Sequence, residues 1–72
     1  METLDLHGIK HEDVEKMVEE FVVLEDLPAR IITGGSNTMK GIVTEVLERH
    51  SLYSESENFW NLGSWIIYSE KP

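Results

Sequence analysis

The 72 residues contain no cysteine. Disulfides and thiolate metal sites are therefore excluded as sources of stability, and the lack fits a reducing, cytoplasmic setting. No apolar run approaches the roughly 18 residues of a membrane span. The opening Met-Glu-Thr-Leu-Asp lacks the basic and apolar blocks of a secretion signal, so no membrane partner is expected. Cations are scarce: 6 Lys and Arg stand against 14 Asp and Glu, for a net charge of −8. Non-specific nucleic-acid affinity depends on neutralising phosphates, so the balance argues against strong binding of that kind. Repeats and low-complexity tracts are absent as well. What is left is a single domain over residues 1–72, near the lower size limit for folding unaided.

Hydropathy patterning orders the chain. Residues 2–6 alternate, with Leu4 and Leu6 on one side and Thr3, Asp5 and His7 on the other, which predicts a first strand ended by Gly8. Glu12 and Asp13 suit a helix start, and Val14, Met17, Val18, Phe21 and Val22 form one helical stripe. Glu15, Lys16, Glu19 and Glu20 fall off that stripe as a solvated face. Pro28 stops the pattern, and a second strand follows over residues 29–33. Met39, Ile42, Val43, Val46 and Leu47 make the stripe of a second helix, ended near His50, which suits the negative end of the helix dipole. Residues 52–57 read as a strand. Residues 58–63 read as a turn holding Phe59 and Trp60. The apolar run in residues 64–69 reads as a central strand covered on much of both faces. Trp60 and Trp65 read as packing residues. The order is βαβαββ, and two right-handed crossovers place both helices on one sheet face, giving an α/β two-layer sandwich.

The most informative stretch is residues 31–47. The β-branched Ile31 and Ile32, followed by Thr33, lead into Gly34-Gly35, and Ser36 and Asn37, both good N-cap types, open the second helix. A strand feeding a helix through glycines presents backbone N–H groups and a positive dipole end, which suits an anion. It is not a nucleotide-hydrolysing loop: Met39 stands in place of that motif's second glycine, and Gly41 in place of its magnesium-holding hydroxyl. If the first two strands are parallel neighbours, their carboxyl ends share an edge where ligands of open sheets bind. His7, Gly8, Lys10 and His11 then join Thr33, Gly34, Gly35, Ser36, Asn37 and Lys40 in a local positive pole. The three histidines lack metal-ligand spacing on any one element, so no metal site is expected.

These same residues carry a resemblance. Leu4-Asp5-Leu6-His7-Gly8 resembles the LDLHG signature of the small MutS-related (Smr) domain. Ile32-Thr33-Gly34-Gly35-Ser36 resembles that family's Thr/His-Gly-x-Gly turn, and Met39-Lys40 with the apolar positions after it resembles the following Leu-Arg and helix. The likeness spans about residues 3–69. It implies a mixed four-stranded sheet in the order 1-2-4-3. It also implies nucleic-acid binding and, in several members, endonuclease activity. The implied catalytic residues are Asp5 and His7, with backbone phosphate received at residues 33–36. The chain departs from the pattern at Ser36 (usually glycine), Gly35 (usually basic) and Lys40 (usually arginine). Lysine lacks the bidentate fork of arginine.

Two functional expectations follow. The first is an Smr-like endonuclease with weak, salt-sensitive affinity for RNA or DNA. On RNA, His7 would move the proton with Asp5 orienting its ring. On DNA, an activated water and a divalent metal such as magnesium or manganese would be needed. The alternative is a non-catalytic adaptor whose acidic face (Glu12, Glu15, Glu19, Glu20) meets a basic protein, for instance on the ribosome.

Overall fold

The computed structural model describes residues 1–58 and 61–70. The elements are β1 (Thr3–Asp5), α1 (His11–Leu24), β2 (Ala29–Ile32), α2 (Asn37–Arg49), β3 (Tyr53–Asn58) and β4 (Asn61–Tyr68). They form a four-stranded sheet in the order β1-β2-β4-β3. β1 runs parallel to β2, and β4 runs antiparallel to both β2 and β3. This is the expected two-layer α/β arrangement with a central fourth strand. No helix among the described residues is long and apolar enough to cross a membrane.

The helical stripes account for the core. Val14 and Val18 of α1 and Met39, Val43, Val46 and Leu47 of α2 are buried against Leu6, Ile31 and Ile67. Each fully buried aliphatic side chain contributes about 1.5–3 kcal/mol of transfer free energy. Arg49 at the end of α2 reaches back to Glu15 at 3.3 Å and Glu19 at 3.2 Å on α1, and His50 Nε2 lies 3.5 Å from Glu19. His50 is thus more than a residue at a dipole end: it stands in a charge cluster that joins the two helices.

The last strand is longer at its start than the pattern predicts. Residues 58–63 read as a turn because Asn61 and Gly63 are turn-forming types. The structure instead pairs Asn58 with Asn61 and carries β4 through Gly63. Phe59 and Trp60, expected in that turn, lie outside the described residues. Gly63 is glycine for a steric reason. A Cβ built there would stand 2.9 Å from the Gly34 carbonyl oxygen and 3.0 Å from the Gly34 Cα. β4 can pass the turn after β2 only if that position has no side chain.

Gly63→Ala should therefore cost about 1–3 kcal/mol, the usual range for overpacking against an unyielding neighbour. Chemical denaturation of the two proteins checks this. Equal midpoints would mean that the turn gives way freely.

Candidate functional site

Because β1 and β2 are parallel, the loops after them leave the sheet at the same edge. In the first loop the Leu6 N–H still donates to Ile32 O at 2.8 Å, extending the pairing by one residue. The Asp5 carboxylate accepts the His7 backbone N–H at 2.9 Å. Aspartate is well suited to such a local turn. The Ile9 N–H then closes on Leu6 O at 3.0 Å, with Gly8 at φ +80°, a conformation that side chains resist. Lys10 is extended and precedes α1, its carbonyl accepting the Asp13 N–H at 2.9 Å.

The second loop is held from below by β4. The N–H groups of Thr33 and Gly34 both donate to Gly63 O, at 2.7 and 3.3 Å. Thr33 is buried, and its hydroxyl accepts the Trp65 indole N–H at 3.3 Å. The same hydroxyl donates toward the Gly34 carbonyl at 3.2 Å. Thr33 thus supports the turn from inside. Gly34 takes φ +67°. Ser36 caps α2, its Oγ accepting the Met39 N–H at 3.1 Å. The N–H groups of Gly35, Ser36 and Asn37 make no hydrogen bond to any described residue.

Among the described residues, the start of α1 reaches the second loop, where His11 Nε2 lies 3.4 Å from Ser36 Oγ. Among the sequence candidates, this brings His11 to the glycine turn. His7 and Lys10 stand exposed on the neighbouring loop, with no side-chain hydrogen bond to a described residue. Lys40 is half-buried one turn into α2. It shares the wall of a cavity of about 100 Å³ with Thr33, Thr44, Ser54 and Trp65, which places it beside the base of the turn. Asp5 holds the His7 main chain, and the ring has no hydrogen bond to it. The donor set does not fit a divalent cation. No three His, Asp or Glu side chains gather as ligands among the described residues, and the Asp5 carboxylate already has a donor.

The pattern did not signal the polar network on the open sheet face. Arg30 Nε donates to Glu57 at 3.0 Å and Nη2 at 2.6 Å, while Nη1 reaches Thr3 Oγ1 at 3.3 Å. Ser64 Oγ also donates to Glu57. Four strands are tied by one guanidinium and one carboxylate, and the central cation of that face is neutralised by its partner. The signal was an arginine alternating with Ala29 and Ile31 on a strand otherwise facing the core. Its partner, 27 residues on, is not readable from spacing.

Two outcomes follow. Ser36→Ala removes the cap of α2 and should cost about 1 kcal/mol, which lowers Tm by about 4–8 °C in a domain of this size. An unchanged Tm would show that the cap is idle. Glu57 is held below the usual 4.5, chiefly by its hydrogen bonds from Arg30, then by that from Ser64, with burial opposing. The unfolded chain therefore takes up this proton at higher pH than the folded chain. The stabilisation is complete above the ordinary carboxyl range and fades as pH falls through the lowered value. Glu57→Gln should be less stable than wild type at neutral pH, and the gap should close on acidification. A gap independent of pH would show that the charge is irrelevant.

No protein-family model, curated protein or solved structure matches the chain, so the site stands on its own residues and geometry.

Proposed function

We propose that the chain is an Smr-like nucleic-acid-binding domain of the cytoplasm that holds a backbone phosphate at its glycine turn and cuts RNA weakly through His7. The observation that carries this reading is the 3.4 Å contact between His11 and Ser36, which joins the loop bearing the Leu-Asp-Leu-His-Gly motif to the turn bearing the unpartnered amides. A phosphate there would meet the N–H groups of Gly35 to Asn37 at the positive end of α2. Gly8, Lys10, His11 and Lys40 would border it. Thr33 supports the site from beneath.

RNA is preferred because its own 2′-OH supplies the nucleophile. In this reading His7 takes the 2′-OH proton as that oxygen attacks phosphorus, the bond to the 5′ oxygen breaks, and solvent protonates the leaving oxygen. Proton transfer of this kind contributes about 10²–10⁴-fold, and the turn amides stabilise the added negative charge. Asp5 acts as a positioning residue, fixing the main chain from which the His7 ring projects. The adaptor reading is less favoured. Glu15 and Glu19 of its acidic face are already paired with Arg49.

The test compares wild type, His7→Ala and Lys40→Ala on one labelled RNA at several salt concentrations. His7→Ala should abolish cleavage with affinity nearly unchanged. Lys40→Ala should weaken binding and flatten the salt dependence by about one unit, from a total slope of roughly −2 to −3. Equal cleavage by wild type and His7→Ala would remove His7 from the reaction. No binding at low salt would remove nucleic acid altogether.

A further inference from the structure

The outer margin of the molecule, where β1 lies beside α1, has a different character from the glycine turn. Leu4, Met17, Phe21 and Leu24 floor an open groove of about 240 Å³ rimmed by Glu20 and Glu25. At Met17 and Glu20 it joins a second groove of about 380 Å³, which runs past Ile9 and carries Glu12 and Asp13 on its rim. Past Glu20 and Leu24 it reaches Val23. Leu24 is 77% exposed and Val23 66%. Apolar surface of this kind, framed by polar residues, is characteristic of contact with another molecule.

Charge selects the occupant. α1 carries its carboxylates on two sides. Glu15 and Glu19 are paired with Arg49, whereas Glu12, Asp13, Glu20 and Glu25 have no ion pair or side-chain hydrogen bond with a described residue. Lys16 is the one cation lining the grooves. A second copy would bring the same net charge of −8 against this rim. β1 adds a backbone edge. It is the outermost strand, and Glu2 O and Leu6 N–H point inward to β2, so the main-chain groups of Thr3 and Asp5 face away from the sheet. Peptides dock on such an edge as an added strand, with alternate side chains entering the adjoining pockets.

We infer that this face binds an extended cationic peptide segment in which every second residue faces the groove, apolar residues at the middle of that side and Lys or Arg flanking them. The segment pairs with β1, so every second side chain faces α1; on that side its apolar residues enter the Leu4–Phe21–Leu24 groove and its flanking Lys or Arg residues meet Glu20 and Glu25. This inference does not depend on the phosphate-binding reading.

The test is an amide NMR titration of the whole chain with three blocked octapeptides: Ser-Lys-Ser-Val-Ser-Val-Ser-Lys (Lys-Val), the same with serine for valine (Lys-Ser), and the same with glutamate for lysine (Glu-Val). Lys-Val should shift Thr3, Asp5 and residues 17–25, Lys-Ser should bind several-fold more weakly, and Glu-Val should not bind. Leu24→Ser leaves the core untouched and should weaken Lys-Val binding about fivefold, as for loss of one anchoring contact. The pair Glu20→Lys with Glu25→Lys should lose Lys-Val and gain Glu-Val. Equal affinity for Lys-Val and Lys-Ser would reduce the effect to plain charge attraction and overturn the proposal. So would shifts centred on residues 35–37, wild-type affinity in Leu24→Ser, or concentration-dependent self-association through this face without peptide.

Discussion

The close approach of Gly34 to Gly63 is the constraint on which the rest of the molecule depends. One carbonyl, Gly63 O, accepts the N–H groups of both Thr33 and Gly34, and the Cβ missing from Gly63 is what lets the two backbones reach that distance. The contact sets where β2 ends and where α2 begins. It also brings Trp65 under Thr33, so that the turn rests on a buried hydroxyl and an indole N–H. Ser36 follows two residues after Gly34, and its position next to His11 is inherited from this arrangement.

Charge is divided by residue type. Arg30 and Arg49 are both held in the structure, one across the sheet and one between the helices. Among the described residues, the cations with no ion pair are Lys10, Lys16 and Lys40. Lys10 and Lys40 lie on the two loops and the helix start that border the glycine turn, while Lys16 lies on the acidic margin of α1. An arginine fork matches a carboxylate in two places, which suits the fixed architectural pairs. The lysines, as compact point charges, are left without a fixed ionic partner among the described residues.

The fold was legible in the sequence wherever burial is one-sided. The stripes of α1 and α2 and the alternation of Leu4 and Leu6 report directly which side chains meet the core, and the run at Trp65–Tyr68 reports a strand with neighbours on both sides. The start of β4 was hidden because Gly63 looks like a turn residue unless Gly34 is known to lie against it. Much of the candidate site was legible as a location, since parallel strands must deliver both loops to one edge. Its internal partners were not. That the Asp5 carboxylate serves the His7 main chain, that Thr33 is buried, and that Glu57 answers Arg30 are facts of tertiary distance that no spacing encodes.

The strand order also has a consequence for folding. β2 is completed by Ile32, but the strand that pairs with its inner edge does not begin until Asn61. In chain order, two parallel strands and both helices precede the segment that fills the centre of the sheet. Until β4 docks, the backbone of Ala29–Ile32 has one edge unsatisfied and Ile31 has no cross-strand neighbour from β4. An exposed β-branched edge is a template for pairing with other chains. The shortness of this strand, only 4 residues, with the Arg30 guanidinium upon it, limits that hazard while the chain waits for its last segment.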